Sequence, residues 1–193
     1  MALETTKILG GIGAVLMLVS PIGMHTGIVG IAGVILVLIA LSRLAHHYNE
    51  PGIFNNAIYG IVTAIAGAAI SIGIIVIAAF DLFRTLGLDF SWTDWTMFQR
   101  IDWPKLFNWE TFAPYIIVIA LSLVMLFILF VVASTFIRRS FSLLGEKTGI
   151  HAFKTAGFLI FLGALLTIIG VGLLIMWIAL IFLAIGFFSI RTT

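Results

Sequence analysis

The stretch FAPYIIVIALSLVMLFILFVVASTFI, residues 112–137, decides the fold class of this chain. Most of its residues are Leu, Ile, Val or Phe, and it contains no Asp, Glu, Lys, Arg or His. About 20 such residues are enough for a helix to cross a hydrocarbon core of roughly 30 Å. Together these side chains favour insertion by roughly 5 to 10 kcal/mol, which outweighs the cost of one buried charge. We therefore predict a transmembrane helix over these residues.

The same apolar character extends along the whole chain. Of its 193 residues, 62% are hydrophobic and 9% are charged, whereas soluble domains carry about 25% charged residues. The mean hydropathy is +1.26. We predict an all-α integral membrane protein, with residues 1–193 in a single transmembrane domain of three tandem helical hairpins. The six transmembrane helices are expected near residues 8–24, 26–44, 58–80, 112–137, 156–172 and 173–190.

The boundary between the last two predicted helices depends on two glycines. An uninterrupted helix over residues 156–190 would be about 52 Å long at 1.5 Å per residue, far more than a bilayer requires. Gly170 and Gly172 permit a reversal of the chain, so the break is predicted there.

Lysines and arginines are distributed unevenly between the two ends of the predicted helices. Three of the ten, Arg84, Arg100 and Lys105, belong to an outer loop predicted over residues 81–111. The other seven lie on the side of the N-terminus: Lys7, Arg43, Arg138, Arg139, Lys147, Lys154 and Arg191. Cytoplasmic loops carry the excess of basic residues. We therefore expect a multi-pass protein of the cytoplasmic membrane with both termini in the cytoplasm.

Two nine-residue stretches share a frame that begins with Gly-Ile and ends with Gly. They are GIFNNAIYG, residues 52–60, and GIHAFKTAG, residues 149–157. Their spacing of 97 residues suggests an internal repeat of hairpins, although chance matches in a chain rich in Gly and Ile remain the alternative. Pro51-Gly52 fits the centre of a type II turn, which needs positive φ at its second position, and Gly149 fits the same conformation.

Small residues form stripes on two of the predicted helices. They recur at four-three-four spacing on the third helix, and at spacing three on the second. In lipid, helices associate by close packing of such residues. The stripes predict helix contacts, either within the chain or between subunits. Their members are Gly60, Ala64, Gly67 and Ser71 on the third helix, and Gly27, Gly30 and Gly33 on the second.

The outer loop contains four of the five tryptophans, namely Trp92, Trp95, Trp103 and Trp109. Tryptophan prefers the headgroup level of a bilayer, where its ring is half buried and its N–H stays hydrated. The loop is expected to contain short amphipathic helices that lie on the outer leaflet. The alternative is a surface for protein contact, because aromatic residues are enriched in interfaces.

Few residues in the sequence point to chemistry. The chain has no cysteine, which excludes disulfides and thiolate-ligated metals, and it has no phosphate-binding glycine loop or nucleophile elbow. We expect no cofactor, no enzymatic activity and no nucleic-acid binding. A metal site would draw on His46, His47, Glu50, Glu146 and His151, but such residues at helix ends are more often simply solvated.

Other polar residues in and near the predicted spans have two interpretations each. Arg138 and Arg139 follow the long apolar run directly. They either bind anionic lipid phosphates or only mark the cytoplasmic side. The hydroxyls of Thr63, Ser71, Ser122 and Thr167 either line a polar path or bond to helix backbones.

Three segments carry a resemblance to a known family. They are LETTKILGGIGAVLMLVSPI at residues 3–22, VLIALSRLAHHYNEPGIFNNAIYG at 37–60, and KTAGFLIFLGALLTIIGVGLLIMWIALIFLAIGFFSI at 154–190. The chain resembles an uncharacterised archaeal and bacterial family of integral membrane proteins, domain of unknown function 996. The resemblance implies a multi-span protein of the prokaryotic cell membrane, and it supplies no activity or catalytic residue.

These observations favour a structural or accessory membrane protein. We expect it to form a homo-oligomer or to join a larger membrane complex through its small-residue stripes and its tryptophan-rich loop, with membrane lipids as its other partners. The alternative is a small transporter or channel for a neutral or apolar solute.

Overall fold

The computed structural model describes residues 2–22, 27–85 and 108–191. These residues form six α-helices, two short 3₁₀-helices and no strand. The helices are α1 Ala2–Val19, α2 Gly27–His47, α3 Gly52–Thr85, α4 Trp109–Thr148, α5 His151–Leu166 and α6 Gly172–Phe188. The chain divides into two compact units: a first unit of residues 1–64 and 130–193, and a second unit of residues 65–129.

Among the described residues, four helical segments are long and apolar enough to cross a membrane, judged by length and composition. They are Gly27–His47, Gly52–Thr85, Phe112–Thr148 and His151–Ile169, and α6 is a shorter apolar helix. The prediction of an all-helical, membrane-spanning chain is therefore confirmed at this level.

The helices α3 and α4 extend beyond their predicted spans. The apolar windows predicted residues 58–80 and 112–137, whereas the helices contain 34 and 40 residues. Hydropathy marks only the part of a helix that favours lipid, and the additional turns carry polar residues such as Asn56 and Arg139. These turns stay helical because they also carry buried apolar side chains, including Ile53 and Leu144, which are both 0% exposed.

The chain reverses between α5 and α6 at the predicted glycines. The last turn of α5 passes into a 3₁₀-helix over Thr167–Ile169, and Gly170 then adopts φ +80° while its N–H donates to the Thr167 carbonyl at 3.0 Å. A side chain at Gly172 would collide with the backbone of Gly163 and Thr167. These two glycines therefore supply the left-handed backbone and the close approach that the turn requires.

The turn between α2 and α3 differs from the prediction. The residue with positive φ is Asn49, at +50°, and Pro51-Gly52 instead begins α3. The amide of Glu50 donates to the Ala45 carbonyl at 2.9 Å, and the amide of Asn49 donates to His46 at 3.2 Å. This pattern is a Schellman motif, in which a left-handed residue ends the helix.

The turn between α4 and α5 has positive φ at Gly149, +71°, as predicted. The left-handed residues Asn49 and Gly149 are thus spaced by 100 residues, whereas the repeated glycine frame has a spacing of 97. Asn49 and Gly149 both have positive φ. In the repeated frame, however, Gly149 corresponds to Gly52, which lies in α3 and not at the left-handed position of its turn.

The core of the first unit lies largely where these two turns and the C-terminal end of α6 meet. Leu41 and Leu44 of α2 are almost fully buried there. Phe153 and Phe187 are fully buried and pack edge to face, with ring centroids 5.2 Å apart. Other buried members of this cluster are Ile53, Ala57, Phe141, Leu144, Ala156, Leu183 and Ile190.

The first and last described helices lie side by side and antiparallel. The ammonium group of Lys7 donates to the Ile190 carbonyl at 3.1 Å, next to the end of α6. Toward the other end of α1, the indole N–H of Trp177 donates to the Leu18 carbonyl at 2.8 Å. The beginning of α1 and the end of α6 therefore lie at the same end of the first unit.

The second unit consists of the remaining lengths of α3 and α4, packed against each other. Ser71 and Ser122 form a reciprocal pair, because each hydroxyl donates to the backbone carbonyl of the other residue, at 3.3 and 3.1 Å. Gly67 contacts Leu129 at the same interface. Many of the other described side chains of this unit are apolar and exposed, such as Ile77 at 70%.

Candidate functional site

The predicted stripe on α3 packs inside the chain. A methyl group at Gly60 would lie 2.9 Å from the Ala133 carbonyl oxygen, and one at Gly67 would lie 2.9 Å from the Leu129 side chain. Ser71 is fully buried in its pair with Ser122, and Ala64 is half-buried. The stripe on α3 therefore forms part of the contact of this helix with α4.

Most of the stripe on α2 also contacts other parts of the chain. A methyl group at Gly33 would lie 2.6 Å from the Gly13 carbonyl oxygen of α1, and one at Gly30 would lie 2.5 Å from the Ser20 hydroxyl. Gly27 has no described neighbour within 4 Å of such a group. The glycines at positions 30 and 33 thus allow α1 and α2 to approach closely.

Three of the four hydroxyls named for a polar path, those of Ser71, Ser122 and Thr167, donate to backbone carbonyls. Besides the reciprocal serine pair, Thr167 donates to the Gly163 carbonyl one turn earlier, at 2.9 Å. For these three side chains, the structure agrees with the interpretation that the hydroxyls bond to helix backbones.

The histidines and glutamates do not converge on a metal site. Glu50 pairs with Lys147 at 3.1 Å, and Glu146 pairs with Lys154 at 3.5 Å. His46, His47 and His151 are exposed. Among the described residues, no group of three or more His, Cys, Asp or Glu side chains is close enough to hold a metal ion.

Of the four loop tryptophans, Trp109 is described: it is the first residue of α4 and is 69% exposed. Trp92, Trp95 and Trp103, with the predicted interfacial helices, lie outside the described residues. The fifth tryptophan, Trp177, joins α6 to α1 through its indole N–H.

Sequence patterns did not indicate a polar cluster at the end of the second unit. The Tyr115 hydroxyl donates to an Asp81 carboxylate oxygen at 3.0 Å and lies 2.9 Å from the Thr85 hydroxyl. The three residues line a cavity of about 830 Å³ together with apolar side chains and with Arg84 and Glu110. Because Tyr115 is 34 residues from Asp81, only the antiparallel register of the two helices brings them together.

The two consecutive arginines of α4 form the most distinctive charged feature of the first unit. Arg138 is half-buried, and its guanidinium carbon lies 5.4 Å from the ring centroid of Phe158 and 5.1 Å from that of Phe161. The guanidinium therefore contacts two aromatic rings of α5, an arrangement that favours a cation. Arg139 is exposed.

Both arginines line one pocket, which we call the arginine pocket. Its volume is about 460 Å³, and its lining residues are Asn56, Thr135, Arg138, Arg139, Ser142 and Leu143. The Asn56 amide group donates to the Gly52 carbonyl at 2.7 Å, and the Thr135 hydroxyl donates to Val131 at 2.8 Å. Within the described ranges, no carboxylate forms an ion pair with either arginine; the ion pairs found there join Glu50 to Lys147 and Glu146 to Lys154.

A separate cavity of about 510 Å³ lies among the ends of α2, α4 and α6. It is lined by Tyr48, Thr148 and Ser189, among others. Burial raises the pKa of the Tyr48 hydroxyl above its ordinary value of 10.0, because desolvation disfavours the phenolate. Packing at this end of the chain therefore partly shields the Tyr48 hydroxyl from water.

Comparison with known sequences places the chain in a family. The family described as protein of unknown function (DUF996) matches residues 29–181. The chain belongs to this family. It is also 31% identical over 191 residues to an uncharacterized protein of Methanocaldococcus jannaschii, an alignment that covers 98% of this chain and 94% of the relative. No solved structure matches the chain.

The DUF996 match includes most of the features described above. The range 29–181 contains the arginine pocket, the serine pair and the break at Gly170, and it runs through the tryptophan-rich segment. The helix α1 lies outside the matched range, although the alignment with the archaeal relative covers nearly the whole chain.

Proposed function

We propose that this DUF996 protein is a non-enzymatic structural or accessory membrane protein that assembles with other copies of itself. The observation that carries the proposal is the exposed apolar surface of α3 and α4 in the second unit. In the most apolar 18-residue segment of α4, only 11% is buried within the chain, compared with 33% in the corresponding segment of α2.

The proposed contact surface is the outer faces of α3 and α4. Ile72 and Ile77 of α3 are 59% and 70% exposed, and Leu121 of α4 is 64% exposed. The small residues of the α3 stripe already pack against α4, so contact between subunits would use large apolar side chains and the tryptophan-rich segment. A second copy is the simplest occupant, because twofold symmetric dimers are the commonest oligomers.

Assembly is tested by mass and by position-specific crosslinking. A photoreactive amino acid at position 72 should crosslink two chains into a species of twice the 21.0 kDa chain mass. The control is the same amino acid at Ala78, which is 8% exposed and faces the interior of the α3–α4 pair. If both positions give no intermolecular product in native membranes, and the protein in mild detergent has the mass of one chain, the proposal is wrong.

The proposed topology has six spans in three hairpins, with both termini in the cytoplasm. Supporting it are the adjacency of Lys7 and Ile190 and the excess of basic residues on that side. Reporter fusions after residue 193 and within residues 86–107 should report opposite faces of the membrane. Identical faces for the two fusions would contradict the proposal. Three of the four hydroxyls considered for a solute path donate to backbone carbonyls, which favours assembly over transport.

A further inference from the structure

We propose that the arginine pocket binds a phosphate-bearing anion. This ligand is either the headgroup of an anionic lipid or a free phosphate. The inference is independent of self-assembly, because it concerns the first unit and different residues.

The first argument is charge. Arg138 and Arg139 place two permanent positive charges on adjacent residues of α4, and neither has a carboxylate partner among the described residues. By contrast, Glu50 and Glu146, at the two turns at this end of the unit, form ion pairs with Lys147 and Lys154. Charges that are partly removed from water are stabilised by an opposite charge nearby. The positive charge of the pocket is therefore not neutralised by any described carboxylate of the chain, and a bound anion would neutralise it.

The second argument is preorganisation. The rings of Phe158 and Phe161 hold the Arg138 guanidinium at 5.4 and 5.1 Å from their centroids. The backbone places these rings there, because Gly157 lets α5 approach the Arg138 backbone, where a methyl group would be 3.2 Å away. A fixed guanidinium retains planar N–H donors that suit the oxygen atoms of a phosphate.

The third argument is the set of neutral groups in the pocket. Ser142 contributes a hydroxyl, and the Asn56 amide group has a second N–H besides the one it donates to Gly52. The Thr135 hydroxyl already donates to Val131 and keeps acceptor capacity only. Two arginines, one hydroxyl and one amide form a donor-rich set, which matches an anion of several oxygens rather than a cation.

The fourth argument is position along α4. The uncharged run of residues 112–137 ends immediately before the arginines. If this run lies in the hydrocarbon core, the pocket lies at the level of lipid phosphates, where basic clusters recognise anionic headgroups.

The test uses the full chain, purified in a mild detergent. Binding of phosphatidylglycerol, phosphatidylcholine and inorganic phosphate is measured by native mass spectrometry and by thermal stabilisation. The wild type should bind phosphatidylglycerol in preference to phosphatidylcholine. In the double variant Arg138→Gln, Arg139→Gln, the affinity for phosphatidylglycerol should fall by at least about tenfold. This loss is expected when at least one charge-assisted hydrogen bond is removed.

The matched control is Arg43→Gln. Arg43 is an exposed arginine of α2, on the side of the N-terminus, that lines no described pocket. Its removal takes away one positive charge outside the arginine pocket and should weaken binding less than threefold, because salt screens an exposed charge that does not touch the ligand. Equal losses for the control and for Arg139→Gln would show general attraction and would overturn the site.

Further variants distinguish the effect of the arginine side-chain geometry from that of its charge. They also distinguish a loss of binding from a loss of folding. Arg138→Lys keeps the charge but loses the planar donors and the stacking, so it should bind more weakly than the wild type. If the double variant fails to fold by circular dichroism and size-exclusion chromatography, Arg139→Gln takes its place, because that side chain is exposed. Wild-type affinity in every folded variant would overturn the proposal.

The source of the ligand follows from competition. If millimolar inorganic phosphate displaces the lipid or stabilises the wild type alone, the natural ligand is a free phosphate. If phosphate has no effect while phosphatidylglycerol binds, the ligand is a lipid headgroup. Binding of neither ligand by the folded wild type would refute both.

Discussion

The edge-to-face pair of Phe153 and Phe187 gives the sharpest prediction about stability. Both rings are 0% exposed, and their planes meet at 83° with centroids 5.2 Å apart. Phe187 also fills the space above Gly10 of α1, where a side chain would collide with the ring. The pair therefore joins α5 and α6 and brings α1 into the same contact.

The magnitude has two parts. Replacing either phenylalanine by alanine leaves a cavity on the order of 100 Å³, which costs about 2.4 kcal/mol at about 24 cal/mol per Å³. The transfer part is smaller than in a soluble protein wherever the unfolded side chain stays in lipid. We therefore expect Phe153→Ala and Phe187→Ala each to lower the free energy of unfolding by about 2 to 4 kcal/mol.

The double variant measures the interaction between the rings. Aromatic pairs are worth about 0.5 to 1.5 kcal/mol beyond their buried area, so the double variant should lose less than the sum of the single variants by about that amount. The assay is reversible unfolding in mixed micelles of mild detergent and sodium dodecyl sulfate, followed by circular dichroism. The control is Phe188→Ala, because this neighbour is 46% exposed, and it should cost about 1 kcal/mol or less. Additive single variants, or a control as costly as Phe187→Ala, would refute the packing argument.

Four further predictions follow from individual features. Replacing Ser71 by alanine should cost about 0.6 to 1.7 kcal/mol in the same unfolding assay, since one hydrogen bond between α3 and α4 is lost; a neutral effect would mean that the pair does not form. Gly149→Ala should destabilise by about 1 kcal/mol because φ is +71° although space is available, and Gly149→Asn should be milder; equal costs would contradict the backbone argument. The uncharged run of residues 112–137 would be about 39 Å long, so thermal stability should rise when reconstituted bilayers are made thicker than about 30 Å, and a maximum in thinner bilayers would oppose this. Burial raises the pKa of Tyr48 above its value in the unfolded chain, so the contribution of Tyr48 to stability should be constant below about pH 10 and fall above it, and Tyr48→Phe should remove part of the loss of stability at high pH.

Apolar length and glycine positions predicted much of the architecture. The helix over residues 112–137, the break at Gly170 and the positive φ of Gly149 each follow from one strong local requirement. Such requirements are visible in sequence because they involve the backbone or the transfer of a segment into lipid. The stripe that includes Gly67 predicted a contact surface, and the structure shows that its partner is α4.

Contacts between distant helices were not predictable in the same way. The helices are apolar on every side, so hydrophobic periodicity does not mark the face that packs. The contact of Arg138 with Phe158 and Phe161 depends on the rotation of α4 against α5, and the Tyr115–Asp81 bond depends on the register of α3 against α4. The turn at Asn49 was assigned to the wrong residue because Pro51-Gly52 suits either a turn or the first turn of a helix.

The pairing of α1 with α6 has a consequence for biosynthesis. About 150 residues separate the end of α1 from the beginning of α6, so the ribosome releases α1 long before its partner exists. The Lys7–Ile190 and Trp177–Leu18 hydrogen bonds can form only after the intervening helices have been synthesised. Until then, the surface of α1 that packs against α6 would be exposed to translocon components and quality-control proteases. This exposure would end only when synthesis of the chain is complete.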